Sequence, residues 1–327
     1  MKGLVILMVV VSVFVVGFPV SRVEGADKYP VKPVICIVPN EAGGDADTLA
    51  RPLMQRLSKV LGQPVVIVNK PGAASSLGYR EHYGAKPDGY TIGTATATII
   101  TNKLQGIMPY DYNDYTVLCT YATYVPFIFA STKTKRLFKT IDELLSFAKA
   151  NPEEVSVACG SVGLSWWQAT MAFQQACGIK FNVLPQPGGG GISVVQAAGG
   201  HADIAVIALG AGHSQLEAGN VKALALFAKD RFPGKYNYVP TLKEAGCDVT
   251  WYSTQVVMAP RNLPTDITER LVKAFEEAAN DPGYLKTVAE LYALPFYLPP
   301  QKAMTFLNEQ RVIIRGIMEK SGTLKEK

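Results

Sequence analysis

One short stretch near the amino terminus constrains the fold more than any other, because an apolar segment, a glycine pair and an amphipathic segment follow one another directly. Val34 to Val38 is short, rich in β-branched residues and followed by a proline, which favours a strand buried in a parallel sheet. From Leu49 onward, apolar residues recur at helical spacing. A strand, a tight turn and a helix in this order are typical of α/β proteins.

The turn in this stretch, at Gly43 and Gly44, suggests an anion site. The glycines allow a tight turn with exposed amides, and Asp45, Asp47 or Thr48 can cap the helix that follows. Amides at a helix start favour a bound anion, so we expect a carboxylate or a similar small anion here. The alternative is an ordinary strand-to-helix connection, since a glycine pair is far less specific than a complete nucleotide-binding motif.

Residues 1–26 have the pattern of a secretory signal peptide. Lys2 precedes an apolar run from Leu4 to Val16, and small residues at Gly25 and Ala26 offer a cleavage site. The run is short for a membrane span, although an uncleaved anchor is the alternative. Its removal leaves about 300 residues, enough for two medium domains or one large domain.

Charge and motif patterns argue against several classes of partner. The chain has 32 Lys and Arg against 27 Asp and Glu, and the basic residues are scattered, so nucleic acid is not expected. The histidines, His82, His201 and His213, do not stand at metal-ligand spacing from one another, so no metal is expected. Neither a P-loop nor a dinucleotide-binding motif occurs, and we expect no cofactor.

The cysteines are odd in number, widely spaced and mostly in apolar segments: Cys36, Cys119, Cys159, Cys177 and Cys247. This pattern does not resemble a disulfide framework. We expect mainly buried free thiols, with one disulfide possible in an oxidising compartment.

Catalysis has little support in the sequence. The nearest approach to the Gly-x-Ser-x-Gly motif of serine hydrolases, residues 212–216, lacks the final glycine. No carboxylate pair or metal cluster stands out. We therefore expect a binding protein that is not an enzyme and has no catalytic residues, with a secreted hydrolase as an alternative.

Further strands also run into turns of small residues, at 69–78, 94–101 and 160–167. In parallel sheets, ligands lie beyond the carboxyl ends of the strands. The pattern predicts an α/β protein with two lobes, residues 27–127 plus 256–327 and residues 128–255. Extended segments near Ile128 and Val257 would cross between the lobes, which would close on a ligand by hinge motion.

A series of short motifs runs through nearly the whole mature chain in a specific order and spacing: Val-Pro-x-x-Ala-Gly-Gly-x-x-Asp at 38–47, Leu-Gly-Gln-Pro-Val-Val at 61–66, Asn-Lys-Pro-Gly-Ala at 69–73, Lys-Pro-Asp-Gly-Tyr-Thr at 86–91, Gly-Ser-x-Gly at 160–163, Gly-Gly-x-x-Asp at 199–203 and Val-Pro-Thr-Leu-x-Glu-Ala-Gly at 239–246. In these motifs the chain resembles the Bug proteins, the solute receptors of tripartite tricarboxylate transporters.

The resemblance implies a periplasmic binding protein with a two-lobe, type II-like Venus-flytrap fold and a ligand cleft between the lobes. Its ligand would be a small organic carboxylate, and its partners would be the membrane subunits of a tripartite tricarboxylate transporter. We expect a monomer. A receptor that passes its signal to a membrane sensor is an alternative that the sequence does not distinguish.

In the family, backbone amides and ordered waters near the first glycine pair hold a carboxylate. The positions of this sequence that match the family's site are Asn40, Ala42, Gly43, Gly44, Asp47, Ala74, Ser75, Ser76, Thr94 and Thr96 in the first lobe, and Ser161, Gly163 and the loop after Leu184, with Gln186, in the second. Ser165 is a further turn hydroxyl that we expect to reach the ligand. Asp47 either caps the first helix or touches an amine or hydroxyl of the ligand.

Departures from the family pattern concern specificity. Asn40 stands where an aromatic residue is usual, Gln186-Pro187 replaces the usual Tyr-Lys, and Ala208-Leu209 replaces the usual Asp-Asn. One carboxylate is therefore still expected, but the far wall of the site is less polar and lacks a positive charge. Our hypothesis is an aromatic or apolar monocarboxylate stacked near Trp166 or Trp167. The alternative is that both tryptophans pack in the core or hinge.

Overall fold

The computed structural model of the protein describes residues 29–187 and 190–326. The predicted signal peptide, residues 1–26, lies outside the described residues. Within the described ranges the chain forms eleven strands in two sheets together with ten α-helices, which confirms the α/β class. None of the helices in these ranges combines the length and the apolarity that a bilayer span requires.

The strands are short and follow one another along the whole chain: β1 Val34–Val38, β2 Val65–Asn69, β3 Thr91–Ala95, β4 Tyr115–Tyr124, β5 Pro126–Ser131, β6 Ser156–Gly160, β7 Asn182–Gln186, β8 Ile204–Ala208, β9 Val221–Leu226, β10 Ser253–Pro260 and β11 Leu294–Leu298. The helices alternate with them: α1 Asp45–Leu61, α2 Ser76–Tyr83, α3 Thr98–Leu104, α4 Ile141–Ala150, α5 Ser165–Cys177, α6 Gly190–Ala198, α7 Leu209–Glu217, α8 Thr265–Ala279, α9 Pro282–Glu290 and α10 Pro300–Lys320.

The two sheets repeat one topology. The first has the order β2-β1-β3-β10-β4-β11, and the second has the order β7-β6-β8-β5-β9. In each, a central strand pairs in parallel with two neighbours, β1 with β2 and β3, and β6 with β7 and β8. The next strand in each order, β10 or β5, is antiparallel. Parallel neighbours bring the carboxyl ends of their strands to one edge of each sheet.

The chain changes sheet twice. β4 ends at Tyr124 and β5 of the second sheet begins at Pro126, so Val125 is the first crossing point. The return lies between Leu226, the end of β9, and Ser253, the start of β10. The lobe limits proposed from the sequence, 127/128 and 255/256, stay a prediction.

The strand-turn-helix unit forms as its apolar pattern indicates. β1 is buried except at Ile35, because it lies inside the first sheet with neighbours on both sides. The apolar stripe of α1, which includes Leu49, Leu53 and Leu57, is fully buried. That stripe packs against α8 and so covers one face of the first sheet. The unit thereby places the turn between β1 and α1 at the carboxyl edge of the sheet.

The cysteines form the one disulfide that the sequence left possible, together with three free thiols. Cys177, at the end of α5, and Cys247 form a disulfide with Cα atoms 5.2 Å apart. Cys36, Cys119 and Cys159 are buried free thiols, as expected. The pair is 70 residues apart in the sequence, so only the tertiary fold brings the two side chains together.

Candidate functional site

The carboxyl edges of the two sheets face each other across a cavity of about 340 Å³. The turn after β1, the turn after β2 and the segment after β3 form one wall, and the turn after β6 forms the other. The residues that line it are Pro39, Asn40, Glu41, Gly44, Asp45, Ala46, Pro71, Gly72, Ala74, Ser75, Thr96, Thr98, Gly160, Ser161, Leu164, Ser165, Trp166, Ser253 and Gln255. The volume is at the lower end of the range for small-molecule pockets.

A second cavity of about 510 Å³ adjoins the same turn on its other side. It lies between the start of α1, the first residues of α6 and α7, and the side chains of Tyr124 and Tyr292. Glu41, Gly44 and Asp45 line both cavities, so this turn separates them.

Most of the residues proposed from the sequence line one of these cavities. The first is lined by Asn40, Gly44, Ala74, Ser75, Thr96, Ser161, Ser165 and Trp166, and the second by Ala42, Gly43 and Gly44. Five proposed residues line neither: Asp47, Ser76, Thr94, Gly163 and Gln186. Ligand contact by any of them stays a prediction.

Asp47 lies beneath the glycine turn and ties it to the sheet. Its Oδ2 accepts hydrogen bonds from the amide of Gly43 at 2.8 Å and from Arg51 Nε at 2.7 Å, and its Oδ1 accepts one from Asn69 Nδ2 at 2.9 Å. Burial of this carboxylate opposes ionisation, but these donors outweigh it and hold the pKa of Asp47 below its ordinary value. The residue is thus a buried structural anion.

The capping prediction was wrong. Gly44 is the N-cap of α1, and among the described residues no side chain caps this helix. The glycine amides are also not free, because Gly43 donates to Asp47 and Gly44 donates to the carbonyl of Glu41 at 3.1 Å. In the first turn of α1, the amides of Asp45, Ala46 and Asp47 have no acceptor among the residues that the structure describes. A helix start with free amides remains suited to an anion.

The turn after β2 holds an unusual backbone conformation. Ala73, Ala74 and Ser75 have φ values of 46°, 53° and 70°, in the left-handed region that residues with side chains rarely adopt. Asn102 Nδ2 donates to the carbonyl of Ala74 at 2.8 Å and supports this conformation. Three consecutive residues of this kind are typical of a turn shaped for a function.

Asp45 and Trp166 join the two walls. Trp166 Nε1, at the start of α5, donates to Asp45 Oδ2 at 3.2 Å, although the residues are 121 positions apart. Burial raises the pKa of Asp45 to about 6, and the bond from Trp166 opposes that rise. Trp167 is buried and lines neither cavity. Sequence reasoning did not assign Asp45 to the ligand site, although its place directly after the glycine pair was a usable signal.

The second wall is rigid around its hydroxyl groups. Ser165 Oγ accepts a hydrogen bond from Trp251 Nε1 at 3.0 Å, and Ser161 Oγ donates to the carbonyl of Gln186 at 3.2 Å. Gln255 and Ser253, from β10, close the cavity between the walls. Neither residue of β10 was proposed from the sequence, because nothing local marks a strand residue as part of a cleft.

The histidine of the weak hydrolase motif is engaged elsewhere. His213 Nδ1 lies 2.6 Å from the hydroxyl of Tyr236, and its Nε2 lies 3.1 Å from the hydroxyl of Tyr292. Both ring nitrogens are therefore occupied by tyrosines, so the ring is not poised to activate the neighbouring Ser214.

A comparison with known families decides the class of receptor. The model of the tripartite tricarboxylate transporter family receptor matches residues 49–323. The chain belongs to this family. The resemblance drawn from short motifs is thereby confirmed, and the family is one of periplasmic solute-binding receptors.

Individual relatives cover almost the whole chain. Protein BugT of Bordetella pertussis is 28% identical over 97% of each chain. A Cupriavidus necator protein of the gbd 5′ region is 30% identical, over 92% of this chain and 90% of its own. The chain therefore aligns with these relatives over nearly its whole length.

Solved structures confirm the two-lobe fold. The R. palustris protein Rpa4515, solved with adipate, has a TM-score of 0.81 and 26% identity over 90% of this chain and 98% of its own. The periplasmic binding protein BugD has a TM-score of 0.77 and 25% identity over 91% of this chain and 100% of its own. Family and fold alike are those of solute-binding receptors.

Proposed function

We propose that this receptor captures a small organic carboxylate in the cavity between its lobes and delivers it to the membrane subunits of a tripartite tricarboxylate transporter. The single observation that carries this proposal is the free amides of Asp45 and Ala46 at the start of α1, because both residues line a cavity to which both sheets contribute. The adipate in the structure of Rpa4515, a relative of the same fold, supports the ligand class.

The ligand that fits best has one carboxylate and an aromatic or apolar side group. No Lys or Arg lines the cavity anywhere in the described ranges, so a second carboxylate would lack the usual bidentate partner. Trp166 contributes an aromatic surface to the wall opposite the amides. An aromatic or apolar side group of the ligand would stack on Trp166, whereas Trp167 lies outside the cavity.

The test is a thermal-shift screen over small mono-, di- and tricarboxylates and aromatic acids, followed by calorimetry on each acid that stabilises the protein. Trp166→Phe should weaken binding of the best monocarboxylate by about tenfold, since it changes the aromatic surface and removes the indole donor. Trp167→Phe is the matched control and should bind like the wild type. Equal affinities in all three proteins would show that Trp166 does not contribute to ligand binding.

A binding role also predicts no turnover. Incubating the receptor with each stabilising acid should return the acid unchanged by mass spectrometry. The disulfide supports function in an oxidising compartment such as the periplasm. Sedimentation of the purified protein should give a monomer with and without ligand.

A further inference from the structure

Charge in the cleft is of one sign. Glu41, Asp45 and Glu290 are among the residues that line the two cavities, whereas no Lys, Arg or His lines either within residues 29–187 and 190–326. The whole chain carries a net charge of +5, so an acidic cleft is not a consequence of acidic composition. A site meant for purely anionic ligands gains affinity from cations, and this one presents acids instead.

Asp45 is central to this charge. It lines both cavities, and it is half-buried. Its Oδ2 accepts the bond from Trp166, and its Oδ1 has no donor in the described part of the protein. The indole of Trp166 is neutral, so the negative charge of Asp45 is not compensated by any neighbour in the cleft. The raised pKa of this carboxyl agrees with an acid that lacks a cationic partner.

A second acceptor without a donor lines the first cavity. Gln255 is only 1% exposed, and its Nε2 donates to the carbonyl of Ser253 at 3.3 Å. Its Oε1 is therefore the acceptor, and no donor reaches it from the described residues. Buried acceptors are normally paired, so the unpaired oxygen of this cavity-lining residue is an acceptor that an N–H or O–H group of a ligand can satisfy.

Donors for an anion stand beside these acceptors. The amides of Asp45 and Ala46 are free and belong to the same turn as the Asp45 carboxylate. A bound carboxylate at these amides would lie next to the negative charge of Asp45, which repels it unless a positive group stands between them. The cavity thus matches a ligand that carries both charges.

We infer that Asp45 is a specificity residue, which selects ligands that bear an ammonium or another cationic N–H group beside their carboxylate. The inference rests on the proposed function, because it requires that this cavity holds the ligand. The cationic nitrogen pairs with Asp45, and the carboxylate takes the free amides of α1. Gln255 Oε1 accepts a further hydrogen bond from the ligand.

Pairs of probes with the same carbon skeleton test this inference: L-glutamate with glutarate, L-leucine with 4-methylpentanoate, and L-phenylalanine with 3-phenylpropionate. Calorimetry at pH 7.5 compares the wild type with Asp45→Asn. In at least one pair the amine-bearing probe should bind the wild type about tenfold or more tightly than its partner. In Asp45→Asn that advantage should disappear, because the amide cannot pair with a cation as a carboxylate does.

Two further variants keep the result interpretable. Asp45→Ser also removes the negative charge, and serine is a small residue that suits a helix start. This variant replaces Asp45→Asn if circular dichroism shows that Asp45→Asn does not fold. Asp142→Asn removes an exposed acid from the first turn of α4 and should retain the wild-type preference.

Each remaining outcome decides one of the two proposals. If the receptor binds amine-free acids as tightly as, or more tightly than, their amine-bearing partners in every pair, the inference is overturned and the proposed function stands. If acids from the thermal-shift screen bind but no amine-bearing probe does, the inference is likewise overturned and the proposed function stands. Failure of every acid in both experiments overturns the proposed function.

Discussion

At the scale of single residues, the glycine turn depends on one buried carboxylate. Asp47 has no exposed surface and holds the turn through Gly43, the helix through Arg51 and the neighbouring strand through Asn69. A buried acceptor with three donors cannot be removed without leaving those donors unpaired. Asp47 therefore stabilises the turn that leads into the free amides at the start of α1.

Asp47→Ala should lower the free energy of unfolding by about 3 kcal/mol, because three donors lose a charged acceptor. Arg51→Ala is the matched control. The Arg51 side chain is 52% exposed, so its loss should cost about 1 kcal/mol or less. Urea denaturation at pH 7.5 measures both values. Losses of equal size would show that the Arg51 pair, and not the amide bonds, carries the contribution of Asp47.

His82 predicts an acid-dependent loss of stability. It is 1% exposed, neither ring nitrogen has a partner among the described residues, and burial lowers its pKa to about 3. Below about pH 6.5 the unfolded chain binds a proton that the folded chain does not. The contribution of neutral His82 to the free energy of unfolding is therefore fully present above pH 6.5. As the pH falls toward 3, this contribution decreases by up to about 1.4 kcal/mol per pH unit.

Denaturation curves recorded between pH 7.5 and 4 test this expectation. The slope of unfolding free energy against pH should be shallower in His82→Leu, whatever the variant costs at pH 7.5. His201→Gln, at an exposed position, should keep the wild-type slope. Identical slopes in wild type and His82→Leu would mean that other groups govern acid sensitivity.

At the scale of elements, the disulfide fastens α5 to the segment that leads into β10. α5 carries Trp166 at its start and Cys177 at its end, while Ser253 and Gln255 of β10 line the cavity. The disulfide therefore connects two elements that build the same site. It also closes a loop of 70 residues, which restricts the unfolded chain.

The double variant Cys177→Ser/Cys247→Ser should be less stable than the wild type by about 2–4 kcal/mol. Dithiothreitol should lower the thermal midpoint of the wild type but leave that of the double variant unchanged. Cys159→Ser, which replaces a buried free thiol, should keep the sensitivity to the reductant. The prediction would be contradicted if the wild-type thermal midpoint stayed unchanged after thiol titration had shown that the disulfide was fully reduced.

At the scale of the whole molecule, polar contacts hold the two walls of the cleft together. Besides the bond from Trp166 to Asp45, Gln168 of α5 donates to the hydroxyl of Thr101 in α3. A ligand closes the lobes only by binding the closed arrangement more tightly than the open one. These contacts belong to the closed arrangement.

Small-angle scattering should therefore show a larger radius of gyration without ligand than with a saturating acid. A compact chain of this length has a radius of about 19 Å, the value expected for the bound form. The open form should exceed it, because the bonds from Trp166 and Gln168 are broken. An unchanged radius with a tightly bound ligand would rule out hinge closure as the response to ligand.

Local patterns were enough to predict the elements around the site. The apolar run of β1, the glycine pair and the helical spacing of α1 depend on residues close in sequence, and local preference suffices to form them. The recurrence of strands that end in small residues similarly predicted two related lobes, and the repeated strand order bears out that relation. The cleft follows because carboxyl ends of parallel strands share one edge.

The partners of individual atoms were decided by tertiary structure. Whether Gly43 offers its amide to a ligand depends on where Asp47 and Asn69 lie, and the pairing of Cys177 with Cys247 depends on a contact across 70 residues. The sequence by itself determined the periodic elements and the tight glycine turn between β1 and α1. Only the folded chain placed Trp166 beside Asp45 and left Gln255 Oε1 without a donor from the described residues, because hydrogen bonding between distant segments is set by packing and not by local pattern.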